Sequence, residues 1–305
     1  MLLFFATMAC GQAEPAATQT TSSPSQAACR LPIAISDSQY HLHGGFLDYP
    51  GGKVTMDSAG DGGAYYDRKF SRWLPVGAKA IDANGMHFAY LDRKVAGTSA
   101  PEILHVVDVA KNNDHSYDLG PNGDPAAYVV VAFAPEGIWL SFGGYEGPGG
   151  GLFLFDLNTG SLKNVSGTQE FDEPVAAGHG AFWFTDAGPH PQVEAGMGFG
   201  IPAQIQRFTV ADGRSEEWFT KDGAYVRVLG TDLAGHPIFT DGTDILLATA
   251  PDQTHVIVQH QNIYAVFVDG HGIWLGGQTG IYLYTTAGDL VMVSDQAGSP
   301  VGSCA

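Results

Sequence analysis

Three segments of the chain concentrate the residue types that commonly bind ligands: carboxylates, a histidine and aromatic side chains. The longest covers residues 186–204, and two shorter segments cover residues 92–102 and 143–150. Carboxylate and imidazole groups can hydrogen-bond a sugar or a peptide or hold a cation, and aromatic rings add apolar contact. Variable surface loops also carry such residues without any function, so that alternative stays open. The candidate ligand-binding residues are Asp92, Tyr145, Glu146, Asp186, His190 and Glu194.

The chain lacks the short motifs that mark the common catalytic sites. It contains no GxSxG, no P-loop, no GxGxxG opening a helix, no CxxC and no HExxH. No catalytic residue is therefore assigned, and a binding function is favoured over an enzymatic one.

Five histidines stand where a metal site could be built. His179, His236 and His271 each adjoin the glycine of a turn, whereas His41 and His43 would share one side of a strand. Turn packing explains the first three more simply, and two ligands alone do not define a metal site. The sequence therefore predicts no metal ligand among them.

The chain is strongly acidic, with a formal net charge of −18 from 32 acidic and 14 basic residues. Such a surface repels phosphate backbones and anionic bilayers, which excludes nucleic acid and peripheral membrane docking as partners. Two acidic runs, at residues 57–67 and 240–244, invite a calcium interpretation, but neither matches an EF-hand loop. Turn chemistry accounts for both runs. We predict no cofactor and keep calcium as the alternative.

Short strands have to position these residues, because the composition favours strands and tight turns over long helices. The chain has 41 glycines, and its aromatic and β-branched residues recur in short runs. A turn glycine followed by an apolar strand recurs about every 44 residues, and a second strand ending in Asp or Thr gives the same period. The glycines are Gly52, Gly85, Gly137, Gly180, Gly235 and Gly272, and the second strands end at Asp67, Asp108, Asp156, Thr209, Thr249 and Thr285.

A period near 44 residues with four short strands per unit predicts an all-β fold, the β-propeller. We expect six four-stranded blades with the termini close together, or seven if residues 29–39 and the C-terminal tail form another sheet. Two β-sandwich domains are the competing arrangement, and they explain the period poorly. The clearest units predict the strands AYVVVAF, GIWLSF, LFLFDL and SLKNVS in unit three, and IYAVFV, GIWLGG, IYLYT and LVMVS in unit six.

Several units resemble known propeller families. GMHFAYLDR…EILHVVDVA, at residues 85–110, resembles the blades of WD40-like periplasmic propellers. GAFWFTDAG…IQRFTVADGRSEEWFT, at 180–220, is similar to one repeat of streptogramin (virginiamycin B) lyase propellers, and GIWLGGQTGIYLY, at 272–284, is similar to repeats of bacterial two-component sensors. The lyase resemblance implies a metal-assisted His/Glu mechanism in that family, whose catalytic residues match no positions in this chain. These resemblances imply a fold and leave the function open.

The N-terminal region resembles that of a bacterial lipoprotein. An apolar run, MLLFFATMAC, ends at Cys10, and a polar Ala/Thr/Ser/Pro/Gln tract follows. The resemblance implies acylation of Cys10 and anchoring in the cell envelope, with cleaved secretion or a cytosolic location as alternatives. We divide the chain into a signal segment at 1–10, a flexible tether at 11–28 and a single propeller domain at 29–305.

The remaining cysteines, Cys29 and Cys304, bracket the predicted propeller. A disulfide between them requires adjacent termini, as in a closed ring, and an oxidising compartment. Two unrelated thiols are the alternative. The sequence thus predicts an exported, lipid-anchored, monomeric propeller that binds a glycan, a peptide or a small molecule of the envelope or the exterior. The alternatives are a propeller lyase or hydrolase acting on a sugar or cyclic ester, and a scaffold for other envelope proteins.

Overall fold

The chain forms an all-β ring of six blades in the computed structural model, which confirms the predicted propeller. The only helical element among the described residues is a short 3-10 turn at Ala78–Ala80, and none of their helices is long and apolar enough to cross a bilayer. The structure describes residues 28–92, 102–120, 127–143, 151–168, 172–178, 180–186, 203–260 and 262–305.

The strands are short, as the turn-rich sequence requires. Their bounds are β1 Cys29–Ser36, β2 Leu42–Tyr49, β3 Lys53–Asp61, β4 Tyr65–Asp67, β5 Arg72–Leu74, β6 His87–Leu91, β7 Ile103–Asp108, β8 Asn113–Asp118, β9 Ala127–Ala134, β10 Gly137–Gly143, β11 Gly151–Asp156, β12 Ser161–Asn164, β13 Asp172–Gly178, β14 Ala181–Asp186, β15 Gln204–Thr209, β16 Arg214–Thr220, β17 Arg227–Thr231, β18 Pro237–Thr240, β19 Ile245–Ala250, β20 Gln253–Val258, β21 Ile263–Asp269, β22 Gly272–Gly277, β23 Gly280–Thr285, β24 Leu290–Ser294 and β25 Ser299–Pro300.

Each blade is an antiparallel sheet that runs from an inner strand to an outer edge. Blades 3, 4, 5 and 6 are β9–β12, β13–β16, β17–β20 and β21–β24, and the strands predicted for units three and six are confirmed. Blade 2 contains β6, β7 and β8, and its inner position is held by a single bridge between Ile81 and Phe88. The blades therefore share one plan, with the inner strand of blade 2 reduced to one residue.

Blade 1 closes the ring with strands from both ends of the described chain. Its order is β25-β1-β2-β3, and Ile33 and Ala34 pair with Pro300 and Ser299. A disulfide joins Cys29 to Cys304, with 5.4 Å between their Cα atoms, as predicted. Residues 29–36 and the C-terminal tail thus complete blade 1 and do not form a seventh blade.

The assignment of the first sequence unit was wrong. Gly52 precedes the outer strand β3, not the second strand of a blade. Asp67 ends β4, which pairs only with β5 in a separate two-stranded hairpin. The reason is physical: Gly52 also has a positive φ, of 71°, so a turn between outer strands has the same local signature as a turn between inner ones.

Apolar clusters between successive blades hold the ring together. Five such clusters join blades 2 and 3, 3 and 4, 4 and 5, 5 and 6, and 6 and 1. Between blades 1 and 2 lies the β4–β5 hairpin, where Tyr66 and Trp73 pack against Phe46 with ring centroids 4.9 and 5.7 Å away. The recurrent aromatic residue of the sequence repeat therefore serves inter-blade packing, since Trp183 and Trp274 are fully buried.

The strand order defines two faces of the ring. On the loop face, the second strand of a blade connects to the third, and the outer strand connects to the next blade. On the turn face, the first strand connects to the second and the third to the outer strand. The three segments singled out by the sequence start at the loop-face ends of β6, β10 and β14.

Candidate functional site

Asp92, one of the predicted ligand-binding residues, belongs to a polar cluster on blade 2. Its carboxylate lies 3.3 Å from Nε2 of His105, whose Nδ1 lies 2.9 Å from Asp114. The His105 ring stacks on Tyr90 at a centroid distance of 4.6 Å, and the Tyr90 hydroxyl donates to Asp114. Burial raises the pKa of Tyr90, and the charge of Asp114 adds to that effect. His105 is thereby held between two carboxylates and an aromatic ring.

A second histidine on the same face has the same kind of surroundings. His43 of blade 1 lies 2.8 Å from Asp61 and 3.3 Å from Asp37. The hydrogen bond that the His43 ring donates to Asp61 is the largest cause of a raised pKa for His43. The backbone N–H of His41 is the largest cause that lowers the pKa of Asp37 to about 2. Sequence reasoning noticed His41 and His43 but did not connect them to aspartates outside their strand.

The other predicted residues are dispersed or fall outside the described part. Asp186 ends β14 of blade 4, where its carboxylate accepts a hydrogen bond from Gln206 at 3.1 Å. Blade 3 separates it from Asp92, so the structure places these two on one face without joining them. The predicted residues that lie outside the described residues are Cys10, Tyr145, Glu146, His190 and Glu194.

Two of the three turn histidines lie close to aspartates of their own turns. His236 lies 2.9 Å from Asp232 and His271 lies 3.3 Å from Asp269, each across a turn on the turn face. His179 lies outside the described residues. Over the described ranges, no group of three or more His, Cys, Asp or Glu side chains is placed to hold a metal ion.

A concave site lies on the turn face, between blades 2 and 3. This blade 2–3 cleft has a volume of about 370 Å³, at the lower end of the range of roughly 300–1,000 Å³ typical of small-molecule sites. The turns that join the first and second strands of blades 2 and 3 contribute to it. The third and outer strands of blade 2 and the end of β11 complete its lining. Its lining residues are Asp82, Ala83, Asn84, His87, Val106, His115, Tyr117, Phe133, Ala134, Pro135 and Leu157.

Polar groups of the cleft are fixed by the local turn. Asp82 accepts the backbone N–H groups of Met86 at 2.7 Å and His87 at 3.2 Å, and its second oxygen lies 2.9 Å from the His87 ring. His115, on the outer strand β8, receives a hydrogen bond from the amide of Asn113 at 3.0 Å. The two imidazoles are therefore oriented by protein neighbours before any ligand arrives.

The corresponding gap between blades 4 and 5 is filled by side chains. Trp183 and Trp218 pack there at a centroid distance of 4.7 Å, and Trp183 donates to the carbonyl of Gly235 at 2.8 Å. Both indoles are buried. Blade 2 carries no tryptophan on its strands, and its second strand places Ala89 among the buried residues. Ala89 thus stands in blade 2 at the position that Trp183 occupies in blade 4, beside the blade 2–3 cleft.

Sequence reasoning missed this cleft, because its members come from four strands and three turns and share no motif. Three of the six sequence units, those starting at Gly52, Gly85 and Gly235, have no tryptophan in the strand after the turn glycine. The absence of tryptophan from blade 2 therefore did not distinguish it from other units.

No protein-family model and no curated protein matches the sequence. Among solved structures, the chain is similar to the extracellular domain of BT4673 from B. thetaiotaomicron, with 13% identity over 83% of this chain and 38% of that one and a TM-score of 0.46. It is also similar to the acylaminoacyl peptidase of Pyrococcus horikoshii, with 14% identity over 68% of this chain and 37% of that one and a TM-score of 0.45.

A third similar structure is the β-propeller domain of the Trilobed protease from Pyrococcus furiosus, with 11% identity over 87% of this chain and 82% of that one and a TM-score of 0.40. The chain spans well under half the length of BT4673 and of the peptidase. At these identities the likeness concerns the fold and extends to no residue of a site.

Proposed function

We propose that the protein is an extracytoplasmic β-propeller that binds a small ligand in the blade 2–3 cleft. The observation that carries the proposal is the cleft itself, a concave site of about 370 Å³ with an apolar floor and pre-oriented polar groups. Binding sites of small molecules have this composition: mostly apolar walls and a few convergent polar groups. The His87 side chain, 43% exposed, remains accessible to a ligand at the mouth.

The Cys29–Cys304 disulfide supports the extracytoplasmic location, because such bonds persist in oxidising compartments. We further propose that Cys10 carries a lipid anchor. Intact mass of protein purified from its native host tests both points. A diacyl- or triacylglyceryl addition on a chain beginning at Cys10, with Cys29 and Cys304 alkylated only after reduction, is the expected result. An unmodified N-terminus with freely alkylated thiols would overturn the export proposal.

Binding in the cleft is tested by ligand-observed NMR of the purified protein against a library of small molecules, peptides and oligosaccharides. His87→Ala and His115→Ala are the site variants. We expect each to weaken binding of any hit at least tenfold, since each removes a polar group at the cleft. A hit that the protein converts into product assigns the enzymatic alternative.

The matched control is His236→Ala. His236 forms the same imidazole–carboxylate pair with Asp232 in a turn of blade 5, away from the cleft, at the same 2.9 Å as the pair of His87. Removing it reproduces any general cost of losing a turn histidine. Equal loss of binding in the control and the site variants, or no loss in either, would refute the location of the site.

A further inference from the structure

The blade 2–3 cleft has one carboxylate in its lining, that of Asp82, and no lysine or arginine. Asp82 accepts two backbone N–H groups, and its second oxygen lies 2.9 Å from the His87 ring. Lys69 is bonded to the adjacent turn, donating to the Asn84 carbonyl at 2.8 Å, and is not among the lining residues. An anionic ligand would therefore lose its hydration without gaining a cationic partner in the lining, and a cationic ligand would have to share Asp82 with the donors that already bind it.

The two histidines offer complementary hydrogen-bonding atoms. Nδ1 of His87 lies 2.9 Å from the Asp82 carboxylate, which accepts, so Nδ1 carries a proton; in the uncharged form of the ring, Nε2 is then an acceptor. His115 accepts at Nε2 from the Asn113 amide, so its Nδ1 carries the proton and is a donor. The cleft thus combines an acceptor from one blade 2 segment with a donor from another.

Two more cleft residues both donate and accept, and two supply ring surface. The Asn84 amide and the Tyr117 hydroxyl each have both capacities. Phe133 and Tyr117 contribute aromatic rings, on opposite sides of the blade boundary. A ligand that fits must therefore offer an apolar face together with several polar groups around one ring.

We propose that the ligand of the cleft is an uncharged sugar residue of a carbohydrate, an inference that rests on the proposed function. The C–H face of a sugar ring packs on aromatic side chains, and each hydroxyl both donates and accepts. Hydroxyls around the ring can therefore satisfy the imidazoles, the amide and the phenol together. A flat heteroaromatic ring has fewer polar positions and would leave some of these groups without a hydrogen-bond partner.

The test is a binding panel on the full-length protein, read by isothermal calorimetry and saturation-transfer NMR. The probes are neutral glucose and galactose oligosaccharides, the uronic-acid and amino-sugar analogues of the same rings, and free neutral nucleobases, which carry no sugar, as the heteroaromatic arm. We expect a neutral oligosaccharide to bind, each charged analogue to bind at least tenfold more weakly, and the nucleobases not to compete. His87→Ala and Phe133→Leu should weaken sugar binding at least tenfold, and His236→Ala should leave it unchanged.

The outcomes separate the two proposals. Binding of nucleobases or charged analogues that depends on His87, without binding of neutral sugars, overturns the sugar inference and leaves the cleft as a ligand site. Sugar binding that His87→Ala and Phe133→Leu do not affect overturns the inference as well, since the sugar would then bind elsewhere. Absence of any ligand that depends on the cleft residues overturns both. Because Phe133 is partly buried, circular dichroism and thermal unfolding of the Leu variant must match those of the wild type, and His87→Ala provides the test independently of it.

Discussion

Removing the Cys29–Cys304 disulfide should destabilise the protein through its unfolded state. The bond closes a loop with a sequence separation of 275 residues. In the chain-entropy model, a loop of this size contributes about 5 kcal/mol to the free energy of unfolding. The double variant Cys29→Ser/Cys304→Ser is therefore expected to lose about 3–5 kcal/mol, because native-state strain and residual structure reduce the ideal value.

The assay is guanidinium unfolding followed by tryptophan fluorescence, comparing the oxidised wild type with the double variant. The native contacts around the bond survive the substitution, since Asp269 accepts the backbone N–H of residue 304 and the N–H of Arg30 bonds to the Ala305 carbonyl. The variant should therefore keep native circular dichroism and unfold at lower denaturant. Reduced wild type should match it. A loss below about 1 kcal/mol would refute the reasoning, since the bond would then not restrict the unfolded chain as the chain-entropy model requires.

Three further predictions concern single side chains. The pKa of His43 is raised above 6.5 in the folded protein. The protonated His43 therefore stabilises the fold fully below pH 6.5, and this stabilisation is lost as the pH rises through the pKa of His43 in the folded state. Asp61→Asn should move the NMR titration of His43 back toward 6.5. Trp183→Phe removes a buried hydrogen bond between blades and should lower the free energy of unfolding, measured in urea, by about 2 kcal/mol. A change near zero would contradict the role of this hydrogen bond. Gly272→Ala should cost at least about 2 kcal/mol, because its φ is +136° and a Cβ would meet the backbone of the next strand. Gly270→Ala, with open space around it, should change the free energy of unfolding by less than about 0.5 kcal/mol.

The fold was predictable because each blade repeats the same burial problem. The glycine that begins β10 and β22 and the aromatic residue that follows it mark one turn and one inter-blade contact. These features are local, so a single sequence displays them. Blade 1 escaped this reasoning, since β1 begins at the disulfide cysteine and takes its inner neighbour from the other end of the chain.

The candidate site was much less predictable. Long loops drew attention to the loop face, where Asp92 does join a histidine cluster, but the cleft lies on the opposite face. Its polar atoms are brought together by sheet pairing and by packing of blade 2 on blade 3. Pairing His87 with Asp82 was within reach of turn chemistry, whereas the proximity of His115 and Phe133 depends on tertiary structure alone.

The origin of the inner strand of blade 1 has a consequence for biosynthesis. Strand β1 is among the first parts of the propeller to be made, yet its partner β25 is made roughly 260 residues later. At about 5–20 residues per second, ribosomes need on the order of 10–50 s to cover that distance. Throughout that interval the inner edge of β1 has unpaired backbone groups, the kind of surface that recruits other strands. The nascent chain therefore needs protection of this edge from other chains until its last blade has been made.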